Sequence, residues 1–176
     1  MPIALATLLA AAAPLAAQTP RPPTDTANRA GSVAPRFTLK TVAGDSSSLS
    51  DYAGHPVFLN FWASWCTPCR GEMPDIIAVY QANKDVGLQV LAINLTDQER
   101  MRDVRKFVEE FRMPFPVLLD QKGKVRKRYA LAGVPTSVFI DAKGVVRLVN
   151  PGPITSDAIQ RGLAEILPAP AHTTGH

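Results

Sequence analysis

Residues 57–74 read VFLNFWASWCTPCRGEMP, and no other stretch restricts the chain as much. The run 57–62 is apolar enough for a strand buried on both faces. Ala63-Ser64-Trp65 then turns the chain and presents Cys66-Thr67-Pro68-Cys69. Beyond it, Met73, Ile76, Ile77 and Tyr80 fall on one face of a helix. Two cysteines therefore stand where a strand hands over to a helix. This is the carboxyl end of the strand, where open α/β sheets keep their chemistry.

The spacing has a chemical meaning. With Cys66 near the helix N-cap, Cys69 lies about one turn further along. The two sulfurs can close a small disulfide ring or open to two thiols with little backbone movement. The first sulfur faces unpaired N–H groups and the positive end of the helix dipole, which favour its thiolate. Cys66 is the expected attacking sulfur, and Cys69 the more buried resolving sulfur. Pro68 suits the first turn, where its missing N–H would have had no partner.

The 176 residues, 46% of them hydrophobic, suffice for one domain with a substantial core. The net charge of +4 is mildly basic, and no basic stripe is interleaved with aromatics, which argues against nucleic-acid binding. Residues 1–17 are small and apolar. The run 3–13 has the length of a signal-peptide core, and Leu15-Ala16-Ala17 offers a cleavage site. No Lys or Arg precedes that run, so the readings are a signal peptide or a weak anchor, either placing the chain in the periplasm or another extracytoplasmic compartment. Residues 18–30, with Pro20, Pro22 and Pro23, read as a disordered linker, 31–167 as the domain and 168–176 as a flexible tail. The two cysteines, both at redox spacing, do not staple distant parts of a fold.

Along the domain, residues 37–41 alternate as a strand, Gly44-Asp45 turns it, and 46–49 return as a hairpin. A short turn of helix over 49–52 leads into the strand at 57–62. A helix over 66–84, kinked at Pro74, ends before Gly87, and 88–95 form a second apolar strand. A helix over 99–112 carries the stripe Met101, Val104, Phe107, Val108 and Phe111. A strand at 117–119, a helix over 123–131, strands at 135–141 and 145–149 around the turn 142–144, and a helix over 155–167 complete the domain. The alternation alone establishes an α/β sheet with a parallel portion.

The string Phe61-Trp62-Ala63-Ser64-Trp65-Cys66-Thr67-Pro68-Cys69, with Pro74 five residues on and Val134-Pro135-Thr136 much later, resembles the thioredoxin superfamily. It is most similar to the TlpA/ResA-like extracytoplasmic thiol-disulfide oxidoreductases, from about residue 31 to residue 167. The resemblance implies a thioredoxin-like fold: a central mixed sheet flanked by helices on both faces, with an N-terminal β-hairpin and an inserted helix-strand unit at 96–117. It implies a redox-active disulfide between Cys66 and Cys69 and protein substrates bearing disulfides or thiols. It also implies a reducing role, for example on apocytochrome c thiols before haem attachment, with recharging by a membrane electron donor. A monomer without cofactor or metal is expected.

The resemblance also assigns residues around the sulfurs. Glu72 is one helical turn beyond Cys69. By spacing it is either a solvated surface Glu or a partly buried carboxylate able to exchange protons with Cys69, and the resemblance implies the second. Thioredoxins proper carry a buried Asp where this chain has Asn60, so a proton acceptor for the resolving thiol falls to Glu72. Asn60 otherwise reads as a buried amide satisfied by backbone groups. The resemblance implies that Pro135 is cis and faces the cysteines, exposing the preceding backbone to an extended partner. Trp65, Thr67, Pro68, Val134, Pro135 and Thr136 form the expected substrate-binding rim, while Trp62 reads as core.

Two further functions compete. A thiol peroxidase needs a Thr three residues before its reactive Cys, and Ala63 occupies that place. A metal-carrying binding protein needs more than two thiolates, and His55, His172 and His176 lack the spacing to complete such a site. The basic run Lys122, Lys124, Arg126, Lys127 and Arg128 reads as the wet face of a helix or as a docking patch for an acidic partner.

Overall fold

The computed structural model describes residues 29–168. The readings for 1–17, for most of 18–30 and for the tail, with His172 and His176, lie outside the described residues. Seven strands form one sheet: β1 (Thr38–Thr41), β2 (Ser46–Ser48), β3 (Val57–Trp62), β4 (Gln89–Asn94), β5 (Val117–Leu119), β6 (Thr136–Ile140) and β7 (Val146–Pro151). Their order across the sheet is β2-β1-β5-β4-β3-β6-β7. Four α-helices accompany them: α1 (Thr67–Asn83), α2 (Met101–Phe111), α3 (Lys124–Arg128) and α4 (Ser156–Ile166).

The apolar run at 57–62 becomes the sheet's central strand. All six residues of β3 are buried, and it pairs with β4 in parallel and with β6 antiparallel. Its side chains alternate between two cores. Phe58 and Trp62 join a cluster with Met73 and Ile76 of α1, Val104 and Phe107 of α2, and Ile159 and Leu163 of α4. Leu59 and Phe61 join the other cluster, with Val125 of α3, Tyr129 and Phe37. Helices thus cover both faces, as the resemblance implies. Each fully buried Phe or Leu contributes about 1.5–3 kcal/mol relative to exposure.

The inserted unit is a short 3₁₀ turn at Thr96–Gln98, then α2 and β5. Of the expected stripe, Val104 and Phe107 are buried, and Met101, Val108 and Phe111 are half-buried against the same core. The Phe107 ring lies 4.3 Å from that of Trp62. The N-terminal hairpin closes the sheet on that side, because β1 pairs antiparallel with β5. Pro74 sits inside α1 without ending it.

One helix is much shorter than its sequence pattern. The expected span 123–131 is helical only over Lys124–Arg128. Ala130 adopts φ 45°, and the N–H groups of Ala130 and Leu131 return to the carbonyls of Lys127 and Arg126. That Schellman closure stops the helix before Leu131. Arg112, at φ 48°, closes α2 in the same way.

Gly162 lies where α4 crosses the sheet. A Cβ there would meet the Phe139 ring at 2.5 Å, and that ring is itself stacked on Phe58 at 4.5 Å. Gly162→Ala is expected to destabilise the domain by about 1–3 kcal/mol through overpacking, against the helical preference for Ala. Urea unfolding measures it, and an unchanged or raised midpoint would show that the contact yields freely.

Candidate active site

Strand β3 ends at Trp62, whose carbonyl accepts from Leu95 N at 3.0 Å. The elbow then tightens, with Cys66 N donating to Ala63 O at 3.2 Å. Cys66 is the N-cap of α1. Its Sγ accepts from Cys69 N at 3.2 Å, so one of the orphan N–H groups of the first turn is met by sulfur. Pro68, in the first turn, removes an N–H that would have had no helical partner. Cys66 and Cys69 form a disulfide, with S–S 2.06 Å and Cα–Cα 5.3 Å. Burial is graded: Cys66 is 4% exposed and Cys69 0%.

Behind the sulfurs stands Glu72, 5% exposed, one turn beyond Cys69 on α1. One carboxylate oxygen accepts from Asn60 Nδ2 at 2.8 Å, and the other from Ile154 N at 3.0 Å. Burial pushes the Glu72 carboxyl above its ordinary value, and the Ile154 N–H and Asn60 amide oppose that rise in part. Asn60 departs from the expected backbone-satisfied amide: its NH₂ goes to the Glu72 side chain. The pairing follows from position, since Asn60 points from β3 toward the face that α1 covers.

The expected rim divides in two. Trp65 is 56% exposed, and Thr67 and Pro68 are exposed beside it, all flanking Cys66. Val134 is half-buried, whereas Pro135 and Thr136 are buried. The Val134–Pro135 peptide is cis. Thr136 pairs with Phe61, so residues 134–136 reach the same edge of the sheet as the elbow. Thr136 Oγ1 donates to Gly133 O at 2.8 Å, and Pro135 O accepts from Gly152 N at 2.9 Å. Among the described residues no group of three or more His, Cys, Asp or Glu side chains is placed to hold a metal ion.

Glu99 is a site residue that sequence reasoning missed. Its carboxylate accepts from Ser64 N at 2.9 Å, from Asn94 Nδ2 at 2.7 Å and from the Ser64 hydroxyl in a short contact. The inserted unit therefore grips the elbow that carries Trp65 and Cys66. Nothing local in the sequence marks it, because Ser64 and Glu99 are 35 residues apart. Arg70 makes a second tie between α1 and α2: it pairs with Glu110 and lies over the rings of Phe107 and Phe111, 5.0 and 5.2 Å from their centroids.

A disulfide capping a helix at the carboxyl edge of a mixed sheet, with graded burial of its sulfurs, is the arrangement of thioredoxin-like proteins. The AhpC/TSA family profile matches residues 30–149. The thiol-disulfide oxidoreductase ResA of Geobacillus kaustophilus is 39% identical over 143 residues, 81% of each chain. The thioredoxin-like protein YneN of Bacillus subtilis is 40% identical, over 76% of this chain and 78% of its own. Among solved structures, StoA from Bacillus subtilis superposes with TM-score 0.64 and 30% identity over 72% of this chain and 95% of that one. The chain belongs to the thioredoxin-like AhpC/TSA family, among its ResA-like members.

Because Glu72 has a raised folded-state pKa, its protonated form favours folding. That contribution is complete below the unfolded value near 4.5 and is lost as pH rises through the higher folded value. With the disulfide intact, the stability of the native protein relative to Glu72→Gln should therefore decline with rising pH across that window, as read by urea unfolding between pH 4 and 8. Parallel pH profiles would mean that the carboxyl is not perturbed.

Glu99→Ala should cost about 1.5–3 kcal/mol, the range for hydrogen bonds to a charged group. It should also loosen the elbow, so that acrylamide quenches Trp65 more readily. Trp62, fully buried, contributes little to that signal. Unchanged quenching would show that Glu99 does not hold the loop.

Proposed function

We propose that this chain is an extracytoplasmic thiol-disulfide oxidoreductase that reduces disulfides in protein substrates through Cys66 and Cys69. The observation that carries the reading is the Cys66–Cys69 disulfide at the N-terminus of α1, with Cys66 the N-cap and the less completely buried residue of the two. The names of its ResA relatives support it.

In the reduced protein the Cys66 thiolate is stabilised by the Cys69 N–H and the helix N-terminus. It attacks a substrate disulfide: a bond forms between Cys66 Sγ and one substrate sulfur, and the substrate S–S bond breaks, expelling a thiolate. Cys69 then gives its proton to the Glu72 carboxylate one turn away and attacks Cys66 Sγ. The Cys66–Cys69 bond forms, the mixed disulfide breaks, and the substrate gains two electrons; Glu72 releases its proton and water supplies a second, so that both substrate thiolates leave as thiols. Raised by burial, Glu72 takes up a thiol proton more readily than a solvated carboxylate would. Trp65, Thr67 and Pro68 supply the exposed rim on which the partner rests, with Val134 and the backbone of 134–136 on the far side.

Residues 1–17 export or anchor the chain, 18–30 tether the domain at 31–167, and 168–176 form a tail. A membrane dithiol donor returns the electrons. The resemblance to TlpA/ResA-like proteins supports apocytochrome c as a substrate and the reducing direction.

Cys69→Ser tests this directly. In cells the variant should accumulate a mixed disulfide through Cys66, while Cys66→Ser accumulates none, and the trapped partner should carry the cysteine pair of a c-type haem site. Indistinguishable adduct patterns for the two variants would remove the redox assignment.

A further inference from the structure

The basic run that the redox chemistry leaves unused lies on the same edge of the sheet as the cysteines. In the parallel stack β3-β4-β5, Trp62 is level with Asn94 and Asn94 with Leu119. The turn that follows Leu119 and carries Lys122 and Lys124 thus leaves the sheet beside the elbow, two strands over. At about 4.8 Å per strand spacing, the start of that turn is roughly 10 Å along the sheet from the elbow, and α3, which follows it, packs on the face opposite α1. Because β1 is antiparallel to β5, with Lys40 opposite Leu119, the amino end of β1 comes to this edge too.

Between β1, the 119–124 turn and α3 runs a cleft of about 400 Å³. Its apolar lining includes Phe37, Leu119 and Val125, and its charged lining is Lys40, Lys122, Lys124 and Arg128, all exposed, with Asp120. Asp120 is buried and accepts from Lys124 N and Arg126 N, both at 2.9 Å, so its oxygens face the backbone. Arg126, by contrast, pairs with Asp97 at 2.9 Å. Among the described residues the four cleft cations form no ion pair; Arg128 donates to Arg36 O and Lys40 to Gly44 O.

We infer that this cleft docks an acidic segment of the protein substrate while that substrate's sulfur is engaged by Cys66. The inference rests on the proposed exchange activity and names the chemistry of its partner. Four exposed cations that form no ion pair among the described residues, over an apolar floor, complement an extended chain bearing Asp or Glu. An extended peptide advances about 3.3 Å per residue, so acidic residues roughly three to six positions from the reacting cysteine reach the cleft. An anionic bilayer fits less well: a flat surface laid against this edge would also cover Trp65 and the elbow, where the protein partner must enter.

The test compares turnover of disulfide-bonded peptides that carry either an Asp/Glu or a Ser/Gln tract at that spacing, with neutral 2-hydroxyethyl disulfide as reference. At low ionic strength the acidic peptide should show about a tenfold higher kcat/KM, falling toward parity in 0.5 M salt. Lys122→Glu/Lys124→Glu should abolish the preference and Lys122→Gln/Lys124→Gln should reduce it, both leaving 2-hydroxyethyl disulfide turnover unchanged. Equal rates for the two peptides at low salt would overturn the docking assignment while leaving the exchange activity intact. So would capture of the native protein by phosphatidylserine vesicles without any peptide preference. Failure to turn over 2-hydroxyethyl disulfide would instead strike the underlying activity.

Discussion

A buried carboxylate must find donors, and the way Glu72 finds them sets the geometry around the disulfide. Its two oxygens reach Asn60 on the central strand and Ile154 N in the segment between β7 and α4. Two other elements are therefore locked to one side chain of α1. That lock fixes how α1 is rolled on the sheet. With Glu72 turned inward, Cys69, Met73 and Ile76 are also buried, and Cys66, at the cap, is left at the edge. The small difference in burial between Cys66 and Cys69 follows from the roll of one helix.

The same residue carries an electrostatic penalty. Desolvation raises the Glu72 pKa more than its two donors lower it. Burial therefore favours the neutral carboxyl over the ionised one, a bias that an apolar residue would not carry. What the site gains is a buried carboxyl one helical turn from Cys69. Thioredoxins proper place their buried acid on the strand, at the position of Asn60. Here the acid comes from the helix, and the strand residue has become its donor. The buried acid stands on a different element, and an amide with no charge of its own holds it in place.

Much of this was legible in the sequence, where the signal is local. The apolar run at 57–62, the CxxC at the strand-helix junction and the period of Met101, Val104 and Phe107 each read correctly, because burial periodicity is written into consecutive residues. The shortened α3 was not legible: Tyr129, Ala130 and Leu131 could continue the helix, and the stop comes from Ala130 in a left-handed conformation, which Ala does not advertise. Asn60 was recognised as buried, but its partner was not, since a strand-to-helix side-chain pair depends on the roll of α1. Glu99 was invisible for a stronger reason. Its grip on Ser64 joins an inserted unit to an elbow across 35 residues, and no periodicity records such a contact. The pairing of β1 with β5 was missed likewise, because short strands carry little register information.

The charges along the redox edge show why a chain of modest net charge can still present a strong local field. Each acid near this edge is engaged within the fold: Asp97 by Arg126, Glu99 by Ser64 and Asn94, and Asp120 by the backbone of α3. These contacts position the elbow, the inserted unit and the start of α3. A carboxylate held by backbone N–H groups projects less potential outward than one on a free side chain, because its nearest neighbours are oriented dipoles of opposite sense. The cations meet no such demand, since lysine ammonium groups cannot cap backbone N–H groups. Satisfying the backbone of the elbow and of the start of α3 has therefore sorted the charges, with Glu99 and Asp120 engaged as structural acceptors, Asp97 paired with Arg126, and Lys40, Lys122 and Lys124 left exposed.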